Sequence, residues 1–269
     1  MDLFVRDILD ILEQIAPSSL AESWDNTGLL VGNPDAEVKS LLLALDPVAS
    51  LFQETISCGA NVIITHHPAL FRPLHALRTD HPVGSFIAEA IRNSIHVIGC
   101  HTNLDATIGG VSDVLARGME LKEITPLIAG KTDGAGCGLG RIGNCAAPMQ
   151  PERCIELLRR TCRPPWLLEA GPRPARVARI AVCGGSCSEF AETALEAGAD
   201  LFITAEVKHS VARWAEEAGL WIIDGGHFAT EHLIVEPFRQ RLLEELEKRH
   251  MKTGVHTVNQ QPPLTLIDD

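Results

Sequence analysis

Short apolar runs that end in glycine, proline or polar residues constrain the fold of this chain more than any other feature. Segments with helical spacing separate the runs, an alternation that is typical of α/β proteins with parallel sheets. Because the runs are apolar throughout and do not alternate, we expect strands that are covered on both faces. The clearest runs are SLLLALDP (40–47), NVIITHHP (61–68), IHVIGCHTNLD (95–105), RIAVCGGS (179–186), DLFITAEVKH (200–209) and LWIIDGGH (220–227).

Two segments of similar sequence raise the question of an internal duplication. GANVIIT (59–65) and GADLFIT (198–204) agree at four of seven positions, each behind a helical segment that contains Glu-Thr. Two interpretations are open: a pair of related α/β units, or the chance recurrence of a common helix-to-strand turn.

The lobe boundary is predicted from composition. The stretch 126–178 is rich in Gly, Pro and Arg, so we expect a boundary there. Residues 1–125 then form a first α/β lobe, to which 228–269 returns, and residues 126–227 form a second. The predicted fold class is α/β, with two related lobes and mostly parallel sheets.

Both ends of the chain have a recognisable pattern. The opening MDLFVRDILDILEQIAP (1–17) places apolar residues at helical spacing between acidic ones, which indicates an amphipathic helix and not a signal peptide. A charged helix over about 230–250 precedes PLTLIDD (263–269), which is predicted to be a final edge strand. No apolar run approaches the roughly 20 residues that a bilayer crossing needs. We therefore expect a cytoplasmic protein with no membrane partner.

Charge and cysteine usage narrow the classes of partner. The 23 Lys and Arg residues against 35 Asp and Glu residues give a formal net charge of −12. This charge opposes nonspecific binding to nucleic acid or to an anionic membrane surface. The 8 cysteines are scattered and none forms a C-x-x-C pair, so reduced core thiols are favoured over disulfides.

Adjacent histidines follow one of the predicted strands. Neighbouring side chains on a strand point to opposite faces, so two adjacent histidines reach one site only where the strand has ended. His66 and His67 follow the apolar run NVIIT, and Pro68 prevents a regular ladder from continuing. In open α/β sheets the ligand crevice lies outside the carboxyl ends of the strands, where we expect both imidazoles.

Two further strand ends carry the same residue types. The run IHVIGCHTNLD is predicted to end near Cys100, which places His101 and Asp105 in the loop beyond it. In LWIIDGGHFATEH a helix is predicted to start near His227, and Glu231 lies four residues later on the same helical face. A single His-His or His-x-x-x-Glu is common by chance. Three such features at three strand ends predict a metal site.

The ligand types indicate which metal the site would hold. Three neutral imidazoles and two carboxylates suit Zn, Mn, Fe, Co or Ni better than Ca or Mg. With one bridging carboxylate, five such side chains are about what two open metal sites need, and water would fill the open positions. We therefore predict two divalent metal ions per chain. The predicted ligands are His66, His67, Asp105, His227 and Glu231.

Several motifs, spread through nearly the whole chain, match one known family in its order. They are SWDNTGLLVGNP (23–34), THHPALF (65–71), GCHTNLDATIGGVSDVLA (99–116), GLGRIG (138–143) and GGHFATE (225–231). On these motifs the sequence resembles the Nif-three-like family, whose bacterial members are often labelled GTP cyclohydrolase 1 type 2 homologues. The resemblance implies a dinuclear metal centre with the same five ligands, Glu231 bridging, in a cleft between the lobes.

The resemblance also implies an assembly. Members of the family are similar to toroidal homo-hexamers whose metal sites face an interior cavity, and the length of this chain fits the short form without an inserted middle domain. One departure from the family pattern is Ala205, where Gly is usual after the Thr of TAEVKH (204–209). The departure concerns the backbone geometry of this loop.

Other motifs have a functional and a structural interpretation. GLGRIG (138–143) spells the G-x-G-x-x-G of dinucleotide sites, but neither a leading strand nor a following helix is indicated, so we predict a Gly-rich strand or turn. DNTGLLVG, with Asp25, Asn26 and Gly28, is an ordinary turn or, on the family match, part of the cleft. Cys100 is predicted to be a buried thiol.

Four more polar residues lie at strand ends. Each is either structural or solvent-facing, or supports a ligand or transfers a proton. They are His101, Glu206, Lys208 and His209, and His101 is the candidate catalytic residue.

Three functions are open. The first is a metal-dependent hydrolase on a small-molecule substrate, and the family label suggests GTP, with water attack at guanine C8 and formate release. The second is a dinuclear phosphoesterase, and the third is a metal-binding scaffold or chaperone without catalysis. A triphosphate needs Arg or Lys. The nearest candidates are Arg72, Arg78, Arg141 and Lys208.

Overall fold

The computed structural model describes residues 2–130 and 136–267. The helices are α1 (Val5–Ile15), α2 (Leu51–Ser57), α3 (Pro82–Arg92), α4 (Thr102–Ala106), α5 (Val111–Gly118), α6 (Pro151–Cys162), α7 (Ala191–Glu196), α8 (His209–Ala218), α9 (His227–His232) and α10 (Val235–Lys248). The strands are β1 (Gly28–Val31), β2 (Ser40–Ala44), β3 (Val62–Thr65), β4 (His96–Gly99), β5 (Lys122–Ala129), β6 (Gly138–Met149), β7 (Leu168–Ala170), β8 (Val177–Ser186), β9 (Leu201–Ala205), β10 (Trp221–Asp224) and β11 (Gly254–Thr257). Each apolar run therefore contains a strand, as predicted.

The chain divides into two compact units. The first comprises Met1–Leu104 and Val235–Gln260, and the second comprises Asp105–Ile234 and Gln261–Asp269. The boundaries expected from composition, 125 and 227, differ from this division. Helix α5 belongs to the second unit because Leu115 packs in the same core as strands β8 and β9. Leu233 packs against that core as well.

The sheet of the first unit has the order β1-β4-β3-β2-β11. Strands β11, β2, β3 and β4 run parallel, and β1 adds to the edge in the antiparallel direction. The register pairs Ala44 with Thr65, and Thr65 with Gly99. Strands β2, β3 and β4 therefore end side by side, and the residues that follow them share one edge of this sheet.

The sheet of the second unit has the order β5-β6-β8-β9-β10-β7. Strands β8, β9 and β10 are parallel neighbours, and the outer pairs are antiparallel. One face carries Val182 and Ile203 against α5 and α6, and the other carries Phe202 and Ile222 against α7 and α8. The two sheets confirm the α/β prediction with mostly parallel strands, and burial of both faces explains why these runs are apolar throughout.

One prediction near the C-terminus is confirmed and another is wrong. The charged helix expected over about 230–250 is α10 (Val235–Lys248), which begins a few residues later than predicted, after the separate short helix α9. Pro237 lies in the first turn of α10, where its missing N–H costs no helical hydrogen bond. The described part of PLTLIDD, 263–267, is not a strand. Its Leu264 and Ile267 are exposed, so no neighbouring surface buries them. The last strand is β11, which pairs with β2.

Two other predictions about local structure hold. Helix α1 buries Ile8, Ile11 and Ile15, as an amphipathic helix should. The GLGRIG motif lies inside strand β6, which excludes the strand-turn-helix geometry of a dinucleotide site. Of the helices in the described ranges, none combines the length and the apolar character that crossing a membrane requires.

Candidate metal centre

Three imidazoles lie together at the carboxyl ends of β3 and β4 in the first unit. Strand β3 ends at Thr65, so His66 and His67 both leave the ladder, and their ring centroids are 5.0 Å apart. His101 follows β4, with its ring 5.2 Å from that of His66 and 5.6 Å from that of His67. One ring nitrogen from each lies within 4.8 Å of the others. This group could hold a metal ion.

An oxygen atom holds the Nδ1 atom of each of these imidazoles. With the proton on Nδ1, His66 donates to the carbonyl oxygen of Cys100 at 2.9 Å, and His67 donates to Asp46 at 2.7 Å. His101 donates to Asp25 at 2.8 Å. This tautomer leaves the lone pair on Nε2, which is the arrangement that metal-binding histidines usually have.

Asp25 and Asp46 were not predicted as partners of histidines. Asp46 ends the apolar run SLLLALDP, so the strand-end signal that found His66 could also have found it. Burial acts to raise the pKa of Asp25, but hydrogen bonds from His101 and Thr102, together with the charge of His101, hold that pKa well below its usual range. Asp25 is therefore an ionised acceptor.

The second unit places an imidazole beside a carboxylate on one helix. His227 is the first residue of α9, and its Nε2 atom lies 3.0 Å from Oε2 of Glu231, as the spacing of four residues predicted. The Nδ1 atom of His227 lies 2.9 Å from Oε1 of Glu206. Glu206, predicted as one option to support a ligand, therefore contacts the candidate ligand His227. It has a left-handed backbone at φ 53°, which is uncommon outside glycine.

Glu231 is buried against a pair of glycines. A Cβ atom on Gly185 would lie 2.1 Å from Oε1 of Glu231, and Gly185 also has a φ of 72°. The N–H of Gly185 donates to Oγ1 of Thr230 at 3.1 Å. Only glycine fits both the space and the backbone here. No sequence pattern indicates Gly185, because its partners come from α9.

Asp105 lies on the short helix α4 and not in a loop, so that detail of the prediction is wrong. The chain turns into α4 directly after β4, because the Thr102 N–H donates to Asp25.

The Cys183 hydrogen bond is the main factor that raises the pKa of Cys187. Burial adds to it, and the charges of Asp105 and Glu231 raise it further. Both carboxylates therefore act on one thiol of the second unit.

The arginines predicted as candidates for binding a triphosphate differ in their contacts. Arg141 is buried, donates to carbonyl oxygens of Gly138 and Gly140, and pairs with Asp113 at 2.8 Å. It holds the fold together and is unsuited to a triphosphate, which corrects that prediction. Arg78 is exposed and pairs with Asp80.

The remaining candidates are simpler. Lys208 and His209 are exposed at the start of α8. Ala205 is a buried residue of β9 that pairs with Ser186 just after an irregularity in the register of β8 and β9, between Val182 and Ser186. Burial raises the pKa of the Cys100 thiol to about 12, which confirms the prediction of a buried, protonated thiol. None of the cysteines in the described part of the chain forms a disulfide.

Together these features define a class: an α/β protein with two sheets whose histidine, aspartate and glutamate groups could bind a metal. The sequence model of Duf34/NIF3 (NGG1p interacting factor 3) matches residues 3–263. The chain belongs to the DUF34/NIF3 family, as its motifs predicted.

Similar proteins cover nearly the whole chain. A protein of Clostridium perfringens, named GTP cyclohydrolase 1 type 2 homolog, is 32% identical over 90% of this chain and 92% of its own length. A protein of Streptomyces coelicolor with the same name is 33% identical over 91% and 87%. The crystal structure of the Staphylococcus aureus hypothetical protein SA1388 has a TM-score of 0.92 at 27% identity, and covers 99% of this chain and 100% of that one.

Proposed function

We propose that the protein binds two divalent metal ions and acts as a metal-dependent hydrolase. The observation that carries this proposal is that four imidazoles each have Nδ1 held by an oxygen atom, which orients Nε2 for coordination. They are those of His66, His67, His101 and His227. The proposed ligands are His66, His67, Asp105, His227 and Glu231, with Glu231 bridging.

The donor set supports a borderline transition metal. Imidazole and carboxylate together suit Zn, Mn, Fe, Co or Ni, and the identity among these is open to measurement. Divalent ions in such a set supply Lewis acidity, which lowers the pKa of a bound water toward about 7 and polarises the group under attack. The chain orients the three histidine ligands through the carbonyl of Cys100, Asp46 and Glu206.

His101 is the proposed proton-transfer residue. Asp25 fixes its ring through Nδ1, and the ring lies beside those of His66 and His67. The other ring nitrogen then points away from Asp25 and is suited to accept or donate a proton during hydrolysis. The name shared by the relatives supports a GTP-like substrate. In that reaction one water adds to C8 of guanine and opens the five-membered ring to a formamide, and a second water hydrolyses the formamide and releases formate.

Elemental analysis of the purified protein tests the metal centre. We expect about two divalent ions per chain, and loss of both in the double variant His66→Ala with Glu231→Gln. The matched control is His75→Ala with Glu244→Gln, which changes the same residue types at exposed positions. Equal metal content in the double variant and the native protein would refute the proposed ligand set.

An activity assay separates the three candidate functions. Metal-loaded protein is incubated with GTP and with a generic phosphodiester. Formate without phosphate supports the cyclohydrolase. Release of phosphate or cleavage of the diester indicates a phosphoesterase instead. Retained metal without turnover on either substrate supports a scaffold or chaperone.

We also propose the toroidal homo-hexamer and a cytoplasmic location. Reduced thiols throughout the described chain are consistent with a reducing compartment. Light scattering after size exclusion tests the assembly, since a hexamer has six times the mass of the chain. A monomeric mass at micromolar concentration would refute it.

A further inference from the structure

Two exposed aromatic side chains lie beside His101 in the first unit. Trp24 is 58% exposed and Phe71 is 44% exposed. Their ring centroids are 5.8 Å apart. The centroid of the His101 ring lies 6.1 Å from that of Trp24 and 6.0 Å from that of Phe71. We call Trp24, Phe71 and His101 the aromatic corner. Large aromatic surface is seldom left open to water without a use.

A small pocket opens on this corner. Its volume is about 320 Å³, and Trp24, Asn26, Phe71 and Arg72 contribute to its lining. That volume is at the lower end of the range for small-molecule sites, which combine apolar walls with a few polar groups. The pocket is therefore sized for one ring system with its substituents.

The charges around the pocket select the kind of ligand. The carboxylate of Asp25 accepts hydrogen bonds from His101 and Thr102, so its oxygen atoms are occupied within the protein. The Arg72 guanidinium is exposed, and it forms no hydrogen bond or ion pair with residues 2–130 and 136–267. Such a cation on the rim of an aromatic pocket suits an anionic substituent, and phosphate is the group that a guanidinium binds in bidentate fashion.

We propose that this pocket binds a planar heteroaromatic ring that carries a phosphate, with the ring against Trp24 and Phe71 and the phosphate at Arg72. The ring-plus-anion chemistry comes from the pocket. The choice of a purine as the ring rests on the proposed function. Stacking on an aromatic side chain is tolerant of the ring's hydrogen-bond pattern. Asn26 also lines the pocket, and its amide nitrogen donates to the carbonyl oxygen of Leu70, so its amide oxygen is the group left to distinguish one purine from another.

The position of the pocket ties it to the candidate metal centre. His101 belongs both to the aromatic corner and to the group of three imidazoles. A ring held on Trp24 would therefore lie next to the residue proposed to transfer protons. The pocket then sets which substrates reach His101, and it does so without contributing a metal ligand.

Binding of guanosine 5′-monophosphate to the full-length protein tests the proposal. We expect saturable binding by calorimetry, with quenching of fluorescence from Trp24, the most exposed of the tryptophans. Trp24→Leu should weaken binding by about 5- to 150-fold, the range for loss of one base-aromatic stack. Arg72→Gln should weaken binding of the nucleotide. It should leave the affinity for guanosine, which has no phosphate, unchanged.

Controls separate this proposal from the proposed function. Phe71→Leu repeats the test at a second exposed position, and Ile91→Ala removes an equally exposed apolar side chain that does not line the pocket. Metal content and formate release are measured on every variant. Unchanged nucleotide affinity in both aromatic variants would overturn the pocket, as would an absence of binding to native protein. A native protein that binds the nucleotide and releases no formate refutes the cyclohydrolase and leaves the pocket standing. A change of oligomeric mass in Trp24→Leu would assign the corner to contact with a second copy, and would overturn the proposal.

Discussion

The candidate ligands of the first unit and those of the second are held by different means. His66 and His67 follow a parallel strand, and each is fixed by a hydrogen bond to an oxygen acceptor at a neighbouring strand end. Glu231 lies on a short helix and occupies a space that exists because Gly185 has no side chain. The candidate ligands of the first unit therefore depend on hydrogen-bond acceptors. Glu231 in the second unit depends on the absence of a side chain at Gly185.

The buried polar groups outside the ligands differ in the same direction. In the first unit the amide of Asn103 donates to the carbonyl oxygen of Ala16 at 2.7 Å, a bond between neutral groups. In the second unit Arg141 pairs with Asp113 through buried charges. Loss of the partner therefore leaves an uncharged group unpaired at Asn103 and a bare charge at Arg141.

The largest expected effect is on stability. Asp113→Ala should lower the free energy of unfolding by about 3–5 kcal/mol, because it leaves the buried charge of Arg141 uncompensated. Asn103→Ala, the neutral counterpart, should cost about 1–3 kcal/mol. Urea titration followed by circular dichroism measures both. Equal losses of stability in the two variants would contradict the contrast between the buried ion pair and the buried neutral hydrogen bond.

Adding one carbon atom tests the space around Glu231. Gly185→Ala should lower the free energy of unfolding for two reasons. Its left-handed backbone costs about 1–2 kcal/mol for a residue with a Cβ, and overpacking costs about 1–3 kcal/mol, since the Cβ would lie 2.1 Å from Glu231. We expect lower stability and lower metal content. Gly198→Ala is the matched control, because Gly198 has a φ of 80° and its nearest neighbour lies 3.9 Å away. If the two variants lose the same stability and both keep their metal, the space at Gly185 has no role.

Removing an acceptor tests the first unit. On the proposed metal centre, Asp46→Asn should weaken metal affinity by about 10- to 100-fold, because the carboxylate that orients His67 is lost. Competition with a chromogenic chelator measures the affinity. Asp80→Asn alters a similar carboxylate on the exposed surface, and its affinity should equal that of the native protein. An unchanged affinity in Asp46→Asn would count against orientation as the function of this contact.

The smallest expected effect concerns the corresponding contact of the second unit. Glu206 is 59% exposed in its side chain, so solvent screens its interaction with His227. Glu206→Gln should weaken metal affinity by no more than about fivefold, the equivalent of about 1 kcal/mol. The same chelator competition applies. A loss as large as that of Asp46→Asn would show that both units depend equally on acceptors.

Much of the fold was predictable because local signals repeat along the chain. The apolar runs identified the strands of both sheets that are buried on both faces, and the polar residues after them identified His66, His67 and His227. The short strand β11 (Gly254–Thr257) was missed because GVHT has no apolar run. The apolar residues of PLTLIDD predict a strand instead, although Pro262 and Pro263 supply no N–H groups to a ladder.

The missing parts of the site share one cause. The contacts of Asp25 with His101 and of Asp46 with His67 join residues that are distant in sequence, and no spacing rule connects them. The glycine clearance at Gly185 likewise depends on a helix that comes much later in the chain. Sequence patterns reported which residues end a strand, whereas partners from other elements became visible only in three dimensions.

The order of the segments along the chain has a consequence for biosynthesis. Strand β11 completes the first sheet by pairing with β2, and the entire stretch Asp105–Ile234 is translated between them. A nascent chain therefore exposes the open edge of β2 on the ribosome, and an unpaired edge invites association with other chains. The second unit is nearly continuous and has no such delay. Holdase chaperones should therefore bind the nascent chain before β11 emerges from the ribosome and dissociate from the chain afterwards.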